Sequence, residues 1–549
     1  MKYLTVLLLC FFMGMSQSQA QNYNYDLFMV TLTDKAGTPY SVFHPQEYLS
    51  LRAIERRERQ QIAINEQDLP LSPDYLKQIV DLGAEIHLQS KWLNAVAIYT
   101  KDSAVLEKVR NLPFVSAIEP LGKRRPVKES KFLDHFPYED YDKDDNFYGN
   151  TYNQIMMLGG HLMHSIGHRG AKKHVAIFDG GFINVYRMPA FDSLFADGRI
   201  LGTRDFVEGD EFVYESSTHG TNVLSCMAAN LPYLVMGTAP DAAYYLFKTE
   251  DVGGEFKIEE FNWAAAAEYA DSLGVDVVNS SLGYTSYNDP KMSYEYKDLN
   301  GRTGICTRAA DIAVEKGMLI VNSAGNEGDG KWHYIGVPAD GFNVISVGAV
   351  RANGARSNFS SYGPTPDGRI KPNVVAQGSR AVVAGFKGYK VSSTDGTSFS
   401  SPITAGMVAT LWSACPDKTN WEIKDAIEAS GSQSAEPDSS LGYGIPDYMQ
   451  AYLRLQDDAM LLVSSGGQYF SPKYIMREKM SLILESDKVY PVTYTLYNKL
   501  MQPLFTKELK SNPGVLQMLE LPGLAELPAD VYIIRVDIGS KRFYAELVK

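Results

Sequence analysis

The chain has 549 residues, 45% apolar and 21% charged, with 45 Gly and 26 Pro; this composition excludes collagen-like, low-complexity and wholly disordered chains and leaves room for several domains with a large buried core. Lys plus Arg (52) against Asp plus Glu (65) gives a net charge of −13, so no global attraction draws the chain to nucleic acid or anionic lipid, and no nucleic-acid partner is expected. Cys10, Cys226, Cys306 and Cys415 stand far apart with no CxxC pair, which supports neither a zinc ribbon nor a disulfide scaffold.

Lys2, the apolar run 4–15 and the small residues around Ser18-Gln19-Ala20 predict an export signal over 1–20, too short to span a membrane as a mature helix. Its removal takes Cys10 away, and an odd count of three cysteines leaves at least one thiol free or paired with another chain. A small α+β unit is predicted over 21–120: strands at 25–33, 92–99 and 114–119, helices at 45–60, 72–82 and 103–111. The stretch 121–150 opens with Lys123-Arg124-Arg125, turns acidic and aromatic over 134–146, keeps no apolar periodicity, and reads as an exposed linker with a processing site.

The largest block, 151–455, alternates apolar runs (174–178, 242–248, 275–281, 318–323, 343–350) with helical stretches (257–273, 308–316). Several of the runs are almost continuously apolar, as strands buried on both faces of a parallel sheet are. The fold class expected is α/β, a doubly wound, mainly parallel sheet. The last block, 460–549, carries short β-rich runs (480–484, 490–497, 531–537, 542–548) separated by Pro and Gly, which predicts a small β-sandwich.

Four segments of the central block couple a polar, reactive side chain to glycine. In Asp179-Gly180-Gly181 a buried strand ends in a carboxylate, at the strand end where sites form in open α/β sheets; the same residues also suit a turn aspartate that bonds its own backbone. In Ser216-Ser217-Thr218-His219-Gly220 a capping hydroxyl opens a helix with His219 in its first turn. In Gly396-Thr397-Ser398-Phe399-Ser400-Ser401-Pro402, Pro402 suits a first helical turn, so Ser398 sits at a helix N-terminus whose N–H groups favour developing negative charge. A polar first-turn histidine and a serine N-cap are the plain alternatives for these two. In Ala324-Gly325-Asn326-Glu327-Gly328 a side-chain amide stands between glycine bends, where it can donate to an oxyanion.

Together, in this order, the four segments resemble the subtilisin-like serine proteases (subtilases). The resemblance extends over roughly 150–455 and takes in Gly237-Thr238-Ala239-Pro240, Ser280-Ser281-Leu282-Gly283 and Phe359-Ser360-Ser361-Tyr362-Gly363. It implies a serine endopeptidase with protein or peptide substrates. Ser398 would be the nucleophile, His219 the base, Asp179 its orienting carboxylate and Asn326 an oxyanion donor. Ser281-Leu282-Gly283 and Ser323-Ala324-Gly325 would be the edges that pair with an extended substrate. It also implies that 21–120 is a propeptide, an intramolecular inhibitor removed by self-processing. The 460–549 block loosely resembles the sorting domains of type IX secretion cargo, which implies secretion machinery as a partner and a secreted or cell-surface location.

The sequence departs from the family pattern in places. Gly180 follows Asp179 where Ser or Thr is usual, and Asn222 replaces a second histidine. The loop 230–236 carries Pro232 and apolar residues instead of a run of Asn and Asp; calcium takes about six or more oxygens, so the family's calcium site is not supported and no cofactor is expected. The long stretch 284–303 either rims the cleft with its aromatics and acids or is a surface insertion. Two rivals remain: a serine esterase, disfavoured because no G-x-S-x-G is present, and a catalytically weak, subtilase-like binding protein.

Overall fold

The computed structural model describes residues 25–124, 145–385, 389–456, 459–464, 474–475, 480–486, 488–513, 517–520 and 526–548. The predicted signal peptide and most of the predicted linker lie outside them.

The N-terminal unit is an antiparallel sheet in the order β2-β3-β1-β4, built from β1 (Leu27–Leu32), β2 (Glu85–Ser90), β3 (Ala95–Tyr99) and β4 (Val115–Gly122). Helices α1 (Leu51–Arg59), α2 (Pro73–Asp81) and α3 (Ser103–Arg110) connect the strands. The period-two alternation of strands divides its side chains. Phe28, Val30, Val96 and Ile98 pack on Ile79 of α2 and Leu106 of α3, while Met29, Ala95, Ala97, Trp92 and Leu121 face the central domain. Strand β2 gave no sequence signal, because of its six residues only Ser90 is fully buried. Strand β4 runs to Gly122 with Leu121 buried, and Tyr233 N–H already bonds Phe147 C=O at 2.7 Å. The stretch between the two units is therefore shorter at both ends than 121–150.

The central domain holds a seven-stranded, wholly parallel sheet. Its strands are β5 (His174–Asp179), β6 (Ile200–Asp205), β7 (Ala243–Lys248), β8 (Val277–Ser280), β9 (Leu319–Ser323), β10 (Ile345–Val350) and β11 (Val374–Gln377), in the order β11-β10-β9-β8-β5-β7-β6. Val175 and Ile177 of β5 point to the face covered by α4 (His219–Ala228) and α7 (Thr397–Ala414). Ala176 and Phe178 point to the face covered by α5 (Ile258–Leu273) and α6 (Ile305–Glu315). That double coverage is why these strands read as continuous apolar runs. Asp179, Ser280 and Ser323 all end strands at the sheet's carboxyl edge.

The C-terminal block is two sheets around one core. Residues Ala459–Ser464, Met480–Glu485 and Gln517–Glu520 form one sheet; Pro491–Asn498, Pro503–Lys510, Val531–Ile538 and Lys541–Val548, with Tyr474–Ile475, form the other. Leu482 and Leu484 share a core with Val492, Tyr494, Ile534 and Val536. Ile483, on the opposite face of its strand, packs into the central domain. Cys226, Cys306 and Cys415 are all buried, and among the described residues none forms a disulfide. Among the described residues, no helix is long and apolar enough to cross a membrane.

Candidate active site

Two glycines set the distance between the loop after β5 and helix α4. Gly181 has φ +139°, and a Cβ there would lie 1.9 Å from Glu215 O; a Cβ at Gly220 would lie 2.5 Å from Gly181 O. Any larger residue would push loop and helix apart. The close approach brings His219 Nδ1 to 2.8 and 3.0 Å from the two carboxylate oxygens of Asp179. Asp179 is buried, and its Oδ1 also accepts the Gly180 N–H at 2.8 Å. The hydroxyl that caps α4 is Ser217, which accepts the His219 N–H at 3.0 Å; Thr218 makes no side-chain cap. With Nδ1–H given to Asp179, His219 keeps Nε2 as its basic nitrogen.

Ser398 is the second residue of α7, after Gly396 at φ +150°. Pro402 is the sixth, inside the helix and beyond the first turn where the sequence placed it. The displacement has a consequence. A proline has no N–H, so the Ser398 carbonyl loses its intrahelical donor. The Ser281 hydroxyl takes that place at 2.8 Å, and itself accepts from Asn279 Nδ2 at 3.1 Å. The Ser398 hydroxyl donates to Ser281 C=O at 3.3 Å rather than to His219. Such hydrogen bonds are often loose before substrate arrives.

Asn326 is held by its oxygen. Oδ1 accepts the Thr397 N–H at 2.8 Å and the Thr397 hydroxyl at 3.0 Å, which turns Nδ2 away from the helix. Among the described residues neither Asn326 Nδ2 nor the Ser398 N–H carries a hydrogen bond. His219, Asn326 and Ser398 line one cavity of about 260 Å³.

The two predicted substrate edges differ. Ser281, Leu282 and Gly283 line the cavity, and the exposed Gly283 has neither its N–H nor its C=O bonded among the described residues. Ser323 and Gly325 also line it, but Ala324 is buried in the core. The backbone there is already in use: Ala324 N–H bonds Val347 C=O, and Gly325 N–H bonds Thr397 Oγ1. Ser281–Gly283 is thus an open edge and 323–325 a wall. Of the 284–303 stretch, Tyr284 and Thr285 line the cavity, whereas Tyr287 and Tyr294 turn inward and donate to the buried Glu260, which caps α6 through the Ile305 and Cys306 N–H groups. Most of its aromatics are core, not rim.

Burial works against an imidazolium at His219, but the charge and hydrogen bond of Asp179, helped by Glu250, outweigh it and hold His219 above the ordinary histidine value. Glu250 and Glu255 also line the cavity. No sequence signal marked them, nor Ser281 as the cap of Ser398, because each acts across a contact between distant parts of the chain. Among the described residues no group of three His, Cys, Asp or Glu is placed to hold a metal ion.

Comparison with known proteins agrees with this architecture. The subtilase family model matches residues 171–444, and the model of the peptidase S8 propeptide domain of Bacteroidota matches 27–132. The chain is 32% identical over 294 residues to a subtilisin of Bacillus pumilus, covering 53% of this chain and 94% of that protein. It is 29% identical over 358 residues to subtilisin NAT of Bacillus subtilis subsp. natto, covering 64% of this chain and 80% of that protein. The solved structure of the prenylagaramide maturation protease PagA aligns at 22% identity with TM-score 0.43, covering 54% of this chain and 98% of that one. A parallel sheet with a carboxylate, a histidine and a serine at its carboxyl edge, behind a propeptide domain of the same family, leaves one assignment: the chain belongs to the subtilase family and is a serine endopeptidase.

Proposed function

We propose that the chain is a secreted serine endopeptidase that cuts peptide bonds through an acyl-enzyme and is made as a self-processed precursor. The observation that carries this is the bidentate contact of His219 Nδ1 with buried Asp179, beside a cavity shared by His219, Ser398 and Asn326. Ser398 Oγ attacks the scissile carbonyl as its proton passes to His219 Nε2, and Asp179 stabilises the imidazolium. The Ser398 N–H and Asn326 Nδ2, both free, receive the oxyanion. The imidazolium returns its proton to the leaving amine, and water repeats the sequence to release the acyl half. Substrate lies along Ser281–Gly283 as an added strand, with the Ser323–Gly325 wall facing it.

No cofactor is required, since nucleophile, base and oxyanion donors all come from the chain. The loop after α4 offers calcium little: the Asn230 amide is spent on Ser193 Oγ at 3.1 Å and Arg169 at 3.4 Å, against the about six or more oxygens calcium takes. The signal at 1–20 supports export, and the N-terminal unit acts as an intramolecular inhibitor. The 460–549 block is proposed as a sorting domain for secretion machinery.

A fluorophosphonate probe tests the core of this. The purified protein is expected to label at Ser398 and to cleave casein, and Ser398→Ala to lose both. Labelling that survives the substitution would place the nucleophile elsewhere.

A further inference from the structure

The stretch from the end of β7 into the first turn of α5 puts three carboxyl groups behind His219. Glu250 lines the cavity and is 8% exposed. Its Oε1 accepts both the Thr249 hydroxyl at 2.9 Å and the Tyr284 hydroxyl at 2.6 Å; among the described residues its Oε2 accepts nothing. Glu255, exposed, is also on the cavity wall, beside the carboxyl of Glu259. Glu259 in turn accepts the Asp251 and Phe256 N–H groups, each at 3.1 Å. Among the described residues no Lys or Arg forms an ion pair with any of the three. Other buried acids of this molecule either meet a cation, as Asp271 does Arg56 and Arg57, Asp205 Lys248, and Asp276 Arg52 and Lys173, or, like Glu260, have both oxygens filled by hydroxyl and N–H donors. A buried carboxylate without a cation is costly. Burial therefore raises Glu250 to about 8 and Glu259 as well, while Glu255 stands exposed on the wall.

A second observation points to what would fill the gap. Strand β4 of the N-terminal unit ends against this segment: a Cβ on Gly122 would lie 2.6 Å from Phe256 Cβ, and Phe256 adjoins Glu255. The residues that follow are Lys123-Arg124-Arg125. The chain's own propeptide thus brings Lys123 toward this segment, while Arg124 is spent on Glu85 and the Tyr99 ring.

Resting on the peptidase assignment above, we propose that the Glu250–Glu255 wall is a specificity subsite that receives a lysine or arginine side chain of the substrate. Gly283, the open strand edge, is followed directly by Tyr284, which bonds Glu250. A side chain of a peptide paired at Gly283 therefore lies beside the acids. Glu250 and His219 line the same cavity, which places the subsite close to the bond cut. The ammonium or guanidinium supplies the missing partner, and Glu255 adds a second acceptor on the same wall.

The test is a peptide library assayed with the self-processed, full-chain enzyme, with Lys, Arg, Gln, Leu or Glu placed in turn at each of the residues flanking the cut. Lys and Arg are expected to exceed Gln in kcat/KM by about tenfold or more at one position close to the cut. In Glu250→Gln and in Glu255→Gln that ratio should fall several-fold toward unity. A purely structural role for either acid would slow all peptides alike and leave the ratio standing. Glu255→Gln carries the test if Glu250→Gln does not fold. An even profile at every position in the wild type, or a ratio unmoved in the folded variants, overturns the subsite. An enzyme that cleaves neither library nor casein overturns the peptidase assignment instead.

Discussion

At the scale of single residues, the groups of the proposed site are held by atoms that the proposed chemistry leaves idle. Asn326 is the clearest case. Thr397 occupies its oxygen twice, which turns Nδ2 away from the helix; in the proposed mechanism Nδ2 meets the substrate oxygen only once that oxygen carries charge. Asn326→Ala is expected to lower kcat by about 10²–10³ with little change in KM, the loss typical of one oxyanion donor in an enzyme of this family; a raised KM at unchanged kcat would make Asn326 a cleft-shaping residue only. His219 gives a pH signature. A general base must be neutral, and the Asp179 pair holds His219 above its usual value, so the neutral fraction is reached at higher pH. The acid limb of kcat/KM is therefore expected at a midpoint above about 6.5, the value of a free histidine, and a limb at or below that value would mean that the Asp179 contact does not persist in the working enzyme. Asp179, His219, Asn326 and Ser398, which the structure brings together, stood out in the sequence because each sits in a glycine-bearing motif. Glu250, Glu255 and Ser281 as a cap were not. Ser281 and Ser398 are 117 positions apart, and nothing local to either marks the contact.

At the scale of elements, the helix that carries the nucleophile is interrupted on purpose at its second turn. Pro402 withholds an N–H from Ser398 C=O, and Ser281, at the end of β8, supplies a hydroxyl in its place. The Ser398 backbone is thereby tied to the Ser281–Gly283 edge proposed to pair with substrate. Ser281→Ala leaves that carbonyl and Asn279 Nδ2 without a partner, and is expected to destabilise by about 1–3 kcal/mol. Adding Pro402→Ala restores an N–H at the right place, so the double variant should recover part of the loss. Thermal unfolding on a Ser398→Ala background, which prevents self-digestion, measures this. Strict additivity of the two changes would mean that the carbonyl is not what Ser281 serves. The elements themselves divide by burial in how well the sequence foretold them. Strands β5, β7, β8, β9 and β10 are buried on both faces and stood out as apolar runs. The edge strands β6 and β11, and β2 of the N-terminal unit, are short or half-exposed and did not. The sequence left 284–303 as either a cleft rim or a surface insertion, because the acids that hold Tyr284, Tyr287 and Tyr294, Glu250 and Glu260, lie well upstream in the chain.

At the scale of the whole molecule, the N-terminal unit is clamped to the protease by buried charge. Arg56 and Arg57 of α1 both bond Asp271 of α5, Gln60 bonds Gly317 C=O and the Asn420 N–H, and Glu268 of α5 accepts the Lys91 and Trp92 N–H groups and the Ser90 hydroxyl. Breaking such a buried pair by removing one partner costs about 3–5 kcal/mol, so the unit stays docked after synthesis. Its last strand ends at Gly122 against Phe256, and the chain resumes at 145–150 against 233–235. The intervening residues are polar, acidic and without apolar periodicity, the kind of segment proteases cut. A cut there by the molecule's own Ser398 is effectively unimolecular, because docking has already met the entropic cost of bringing chain and site together. Ser398→Ala removes the nucleophile and adds no bulk, so folding and docking survive. The expected outcome is that the variant accumulates as a larger species with the propeptide attached, while the wild type loses it, as read by intact mass and N-terminal sequencing. Lys123-Arg124-Arg125 offers a rival route, cleavage by a separate protease that prefers basic residues. The two routes part on one observation: purified Ser398→Ala, expressed without other proteases, appears at the mature size only if a partner protease makes the cut, and that result would remove self-processing from the account while leaving the docked propeptide in place.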